Sequence, residues 1–292
     1  MSISVRCCAD LLHAVEDECI ECVKTFSDDP EQQSLTGRSK RTALHLAIKK
    51  PLILEHLLPK MRSHINDQDF NGKTPLQCLL STKPNETLLE KVKLLISRGA
   101  DVNIKDNQEV NALFIAARES NLSIFEYLRS LNAESIKDVD GYNILFICAS
   151  RNYDIELFKY ILENRVSLNV DPINDDTNNN IGLLHLLCYA KDGLEKMKCL
   201  SQVSDLWHQF ICKNINKKDN LGRTPLMWLM SKSYNSNPED KVKDIEFLKM
   251  LLSLNADPLI KYNDCVSCIE QAKVFKLDGF VEIMTNYQDL PL

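Results

Sequence analysis

Apolar residues recur along this chain in short blocks at helical spacing. ALHLAI, PLQCLL, ALFIAA, ILFICA, LLHLLC and PLMWLM are six of them. A few polar residues later comes a second apolar block, such as VKLLIS, IFEYLRSL, LFKYIL or IEFLKMLL. Three- and four-residue apolar spacing predicts amphipathic helices, here in pairs joined by short polar turns. The longest uncharged apolar stretches, such as 142–150, are about half of what a bilayer-spanning helix needs, so no membrane insertion is expected.

The paired blocks repeat. Thr42 opens TALHLA, Thr74 opens TPLQCL, Asn111 opens NALFIA and Asn143 opens NILFIC. Gly182 opens GLLHLL and Thr224 opens TPLMWL, while weaker copies begin at Ala9 and Ser267. These anchors lie 33, 32, 37, 32, 39, 42 and 43 residues apart, a period near 33 with insertions. Ahead of three anchors stands Asp-x-x-Gly: Asp69 to Gly72, Asp138 to Gly141 and Asp219 to Gly222. Such a phrase is a turn whose glycine accepts a backbone conformation that side chains resist. Thr-Pro then opens a helix, Thr as cap and Pro in the first turn. One helix pair cannot bury its own apolar face, so stacked pairs must share a continuous core.

With D-x-x-G-x-T-P-L, the histidines of TALHLA and GLLHLL, and the closing Gly99-Ala100-Asp101-Val102-Asn103, the chain resembles the ankyrin-repeat family over essentially its whole length. The resemblance implies an all-α solenoid of about eight helix-turn-helix units forming one domain over 1–292. Their bounds fall near 5–36, 37–68, 69–105, 106–137, 138–176, 177–218, 219–261 and 262–292. The first and last units are expected to cap the stack with polar outer faces. In the family pattern, His45 and His185 are structural groups that tie helix to turn. Irregular turns are expected where glycine is missing, at Lys40, Glu109 and Cys265. Four insertions break the array, at 83–90, 169–180, 200–218 and 231–240, and the Asn/Asp-rich second one reads as a mobile loop.

Composition then narrows the chemistry. A formal net charge of −6 argues against a nucleic-acid surface, and eight glycines leave no phosphate loop, dinucleotide fingerprint or hydrolase signature. The first residues hold no apolar signal core, so the expected location is cytoplasmic, in a host cell if the protein is a pathogen effector. The eleven cysteines read as free thiols, with Cys148 and Cys188 in apolar helical patterns as core residues. Cys19-x-x-Cys22 and Cys265-x-x-Cys268 together have the ligand count of a zinc site. In a solenoid they belong to opposite ends, so neither metal nor cofactor is expected.

Basic residues recur at the turns: Lys105, Lys137 and Lys218 before the turn, with Lys261 nearly equivalent, and Arg41, Lys73 and Arg223 just before a helix opens. Phe70, Tyr142, Tyr262 and Trp228 fall near the same edge. Lysine at such turns is also an ordinary solvated choice, and Trp228 also reads as packing between units. The binding reading takes Phe70, Lys73, Lys105, Lys137, Tyr142, Lys218, Arg223, Trp228 and Tyr262 as partner-contacting. The expected function is a monomeric, non-catalytic protein-interaction module whose concave turn and first-helix surface meets a partner with an acidic patch. The alternative is an enzyme hidden in 169–218, built on His208 with Asp205 or Cys212.

Overall fold

The computed structural model describes residues 7–119, 121–150, 155–170, 177–203, 205–263 and 265–288. The fold is all-α apart from one small hairpin, in which Lys261–Tyr262 pairs antiparallel with Val266–Ser267. The chain divides into two compact units, 1–136 and 137–292. In the first, Leu11–Glu16 pairs with Ile20–Phe26, Ala43–Ala47 with Pro51–Leu57, Pro75–Leu80 with Leu88–Ser97, and Ala112–Arg118 with Leu122–Ser130. In the second, the pairs are Ile144–Ser150 with Ile155–Glu163, Leu183–Tyr189 with Gly193–Val203, Pro225–Tyr234 with Pro238–Ser253, and Cys268–Val274 with Asp278–Gln288. Within each unit the first helix of every pair packs on the first helix of the next. Leu44, Leu76, Leu113 and Phe125 fill the first core, and Phe146, Phe158, Leu187, Leu229 and Phe247 the second.

The turns explain the sequence phrase. Each turn aspartate folds its carboxylate back onto backbone N–H groups two and four residues ahead. Asp69 accepts from Asn71 and Lys73, Asp106 from Gln108 and Val110, Asp138 from Asp140 and Tyr142, and Asp219 from Leu221 and Arg223, at 2.8–3.2 Å. Adjacent turns are laced by Asn107 N–H to Asn71 O in the first unit and Asn220 N–H to Asn179 O in the second, each at 3.0 Å. Gly72 and Gly222 have φ of +75° and +79°. A Cβ on either would come within 2.5 Å of the side chain of Asn107 or Asn263, so both backbone and space demand glycine.

Glycine is not indispensable everywhere. Lys40, Glu109 and Asn180 adopt the same left-handed conformation at φ of 55°, 59° and 54°, at a cost of roughly 1–2 kcal/mol each. The turns at Lys40 and Glu109 are therefore regular, contrary to the expectation from their missing glycines. Asn180 closes a turn in which Thr177 Oγ1 substitutes for the aspartate, accepting from Ile181 N–H at 2.9 Å. The rest of the expected loop, 171–176, lies outside the described residues.

Two insertions become helix. Residues 231–234 extend Pro225–Tyr234, and 238–240 begin Pro238–Ser253. Lys232, Ser233 and Ser236 all donate to the buried Asp244, at 2.7–3.0 Å, fixing the longer pair. Asp205–Asn214 is an added helix whose Trp207 and Phe210 are buried edge to face, with ring centroids 5.6 Å apart.

Candidate functional site

The repeat histidines sit at helix starts with both ring nitrogens used. Thr42 N–H donates to His45 Nδ1 at 3.2 Å, and His45 Nε2 lies 2.8 Å from Lys73 O in the next turn. Gly182 N–H donates to His185 Nδ1 at 3.1 Å, and Nε2 lies 3.0 Å from Arg223 O. The bonds select one tautomer, with Nε2 as donor. Gln77 does the same work with an amide, accepting from Thr74 N–H and donating to Val110 O. Burial is the main force lowering the basicity of both imidazoles. They join successive repeats and are not free to act on a substrate.

Around Asp219 several expected contact residues come together. Its Oδ2 takes Arg223 Nε and NH2 at 2.8 Å and Trp228 Nε1 at 3.1 Å. The Arg223 guanidinium lies 4.9 Å from the Trp228 ring centroid, while Tyr189 and His185 meet that ring edge on, at 5.8 and 5.7 Å. Burial pushes the Asp219 carboxyl up, but its bonds to Arg223 and Trp228 prevail and hold it below the ordinary range. Trp228 is half-buried and Tyr189 is exposed, so the cluster presents a ring edge and a cation at the surface.

The remaining expected positions are spread along the turns. In the first unit Phe70 is 70% exposed at a turn tip, Lys73 is half-buried, and Lys105 pairs with Glu109 at 3.2 Å. In the second, Lys137, Lys218 and Tyr262 are exposed, and Tyr142 is half-buried against Phe146. Sequence reasoning missed that Val139 and Leu221, beside the turn glycines, are 44% and 53% exposed. Each occupies a turn tip as Phe70 does, and the signal was available: an apolar residue inside Asp-x-x-Gly has no core to enter.

Among the described residues of the irregular segment, the proposed catalytic groups lie on an open surface. His208 Nε2 and Cys212 Sγ are 3.7 Å apart, one turn along the added helix, but both are exposed, as is Asp205. An open helix face neither excludes water nor supplies donors for a developing charge.

Cysteine placement differs between the two C-x-x-C pairs. Cys265 is exposed in the turn before helix Cys268–Val274, and Cys268 is fully buried. The group that gathers with Cys19 and Cys22 is Cys7-Cys8. Cys7 Sγ lies 3.7 Å from Cys8 Sγ, 3.2 Å from Cys19 Sγ and 3.3 Å from Cys22 Sγ. Cys19 is the residue before helix Ile20–Phe26 and Cys22 lies in its first turn. Bonding to Cys7 lowers the Cys22 thiol to about 7, whereas burial raises Cys8.

Comparison with known proteins agrees with this architecture. The family profile described as ankyrin repeats (3 copies) matches residues 11–106 and 79–174. A protein of Acanthamoeba polyphaga mimivirus named for its ankyrin repeats, L371, is 25% identical over 228 residues, which are 73% of this chain and 29% of that protein. Alpha-latroinsectotoxin-Lt1a of Latrodectus tredecimguttatus is 27% identical over 50% of this chain and 10% of its own length. NF-kappa-B inhibitor zeta of Bos taurus is 37% identical over 83 residues, 25% of this chain and 11% of that protein. The chain thus spans less than a third of the length of these relatives. Ankyrin repeats indicate a protein–protein interaction module, and the family generally acts by binding rather than catalysis. Among the described residues no helix is long and apolar enough to cross a membrane. With stacked helix pairs, Asp-anchored turns and a profile match over more than half its residues, this chain belongs to the ankyrin-repeat family.

Proposed function

We propose that this chain is a non-catalytic binding module whose turn tips and first helices hold a partner protein bearing an acidic patch, acting as an adaptor, scaffold or sequestering protein. The observation that carries the reading is the exposure of apolar residues at turn tips already fixed by aspartates that bond the turn backbone: Phe70 in the first unit, Val139 and Leu221 in the second. A rigid turn presents such a side chain at little entropic cost, which is how interface anchors work. Nearby cations supply a charged rim: Lys73 and Lys105 in the first unit, Lys137, Lys218 and Arg223 in the second, with Tyr142, Trp228 and Tyr262 as further aromatic contacts. NF-kappa-B inhibitor zeta is named as an inhibitor of another protein, which fits a sequestering role. The proposed setting is the cytoplasm, of a host cell if the chain is an effector, and the proposed working form is a monomer.

The test is affinity capture from a native cell extract with wild type, Phe70→Asp, Leu221→Asp and the charge reversals Lys105→Glu and Lys218→Glu. Partner capture should fall at least tenfold in the apolar variants and several-fold in the charge reversals, with the unfolding midpoint unchanged. Identical captured proteins in all five samples would sink the assignment of this surface.

A further inference from the structure

The four thiols of Cys7, Cys8, Cys19 and Cys22 lie within 4.8 Å of one another, the tightest gathering of metal-competent side chains among the described residues. A zinc ion holds thiolate sulfur at about 2.3 Å, so a regular tetrahedral site separates its sulfurs by about 3.8 Å. The separations from Cys7, 3.2, 3.3 and 3.7 Å, fall just short of that spacing. Shifts of a few tenths of an ångström would centre an ion. None approaches the roughly 2.0 Å of a disulfide. Cys8 and Cys22 are buried while Cys19 is half-buried and Cys7 exposed, so the sulfurs sit at the edge of the core with a path for an ion to enter.

The chain arrangement also suits a ligand set. Cys7-Cys8 precedes helix Leu11–Glu16, and Cys19-x-x-Cys22 opens helix Ile20–Phe26. The two pairs bracket a six-residue helix and close both of its ends on one point. Helices of six and seven residues are marginal without packing. A bond between the segment entering the first and the start of the second would pin their angle. Simple thiol packing would explain one or two buried cysteines, as at Cys148 and Cys188. It gives no reason for four sulfurs to converge, one of them on an exposed residue.

We propose that Cys7, Cys8, Cys19 and Cys22 form a structural tetrathiolate site for one zinc ion, which staples the first helix pair. Four thiolate ligands saturate the ion and leave no open position, so the site is structural rather than catalytic. Soft sulfur donors in a tetrahedral set select zinc over magnesium or calcium. Binding releases the thiol protons to solvent, and the ion undergoes no redox change.

The test uses the full chain, purified under reducing conditions without chelator. About one zinc per chain is expected by elemental analysis. After removal of zinc, stoichiometric Co2+ should produce ligand-field bands and the sulfur-to-cobalt charge transfer of a tetrahedral tetrathiolate. Cys8→Ser and Cys22→Ser should each lower zinc affinity at least tenfold, while Cys212→Ser and Cys265→Ser leave it unchanged. Because the first two variants could loosen the cap, alkylation mapping of the wild type gives an independent reading: added zinc should protect Cys7 and Cys19 but not Cys212 or Cys265. Absence of zinc together with a colourless Co2+ complex would overturn the proposal. So would undiminished metal in Cys8→Ser and Cys22→Ser, or a disulfide within the four under reducing conditions.

Discussion

Two turns of the second unit share a backbone and differ in what they do to a carboxylate. Asp138 and Asp219 each accept from N–H groups two and four residues ahead. Four residues on stands Tyr142 in one and Arg223 in the other; nine on stand Ile147 and Trp228. Burial dominates at Asp138, and its carboxyl is raised. At Asp219 a guanidinium and an indole N–H face the same oxygen, and the carboxyl is lowered despite burial. The turn is thus a scaffold, and side chains at two fixed offsets decide whether its carboxylate charge is a burden or an anchor. At Asp219 the same side chains reach the surface, so the anchor is also the best-organised part of the candidate interface.

Removing the carboxylate exposes the difference most strongly. Asp138→Ala loses two backbone bonds and should cost about 1–2 kcal/mol. Asp219→Ala also strands Arg223 and the Trp228 N–H, and about 3 kcal/mol is expected. Urea unfolding of the two variants checks the order; equal losses would mean the Arg223 and Trp228 contacts contribute nothing.

Exchanging the offset residues is a gentler version of the same question. Arg223→Tyr with Trp228→Ile gives Asp219 the surroundings of Asp138, and its carboxyl should move from below 3.8 to above it, read by carboxyl NMR titration. The sign of the linked stability reverses with it. In the wild type the Asp219 contribution is present above pH 3.8 and lost as pH falls toward its lowered folded value. In the variant, deprotonation opposes folding, so stability falls as pH rises from 3.8 to the raised value. Of the ~2 kcal/mol lost at neutral pH, most should come from Trp228 packing, because the Arg223 side chain is 35% exposed and its ion pair is screened.

Much of this frame was legible in the sequence, because turn aspartates, left-handed glycines and helix-opening threonines act locally, within four residues of each other. What was hidden depends on contacts across the chain. Lys196 reads as a surface lysine in GLEKMK, yet it is fully buried, donating to Cys148 O at 2.7 Å and paired with Asp192 at 2.9 Å. Nothing local announces a carbonyl 48 residues away. The cysteines show the same limit: CxxC is a visible pair, but only folding brings Cys7-Cys8 to it. The insertion at 231–240 breaks the repeat in the sequence, and its Asn, Ser and Pro residues do not announce what it forms. In the fold Asn237 caps a helix, accepting from Asp240 N–H, and Pro238 starts it.

The smallest effect concerns the link that the Asp219 turn receives and the Asp138 turn does not show. Arg223 O, which closes the Asp219 turn, accepts from His185 Nε2, and that ring is buried and of lowered basicity. His45 makes the same link to Lys73 O in the first unit. A histidine whose folded pKa lies below its unfolded value of about 6.5 leaves stability intact above that pH. Below it the unfolded chain binds more protons, so stability declines until pH passes the folded value and then levels for that group. Protonation would also place a second N–H against Gly182 N–H, which already donates to Nδ1. Gln77 shows that an amide can make both bonds without titrating. His185→Gln should therefore keep most of the neutral-pH stability and flatten the decline below pH 6.5, and the double variant with His45→Gln should flatten it further. Unfolding midpoints measured from pH 7.5 to 5 decide it: an unchanged acid slope in the double variant would place the acid-sensitive groups elsewhere.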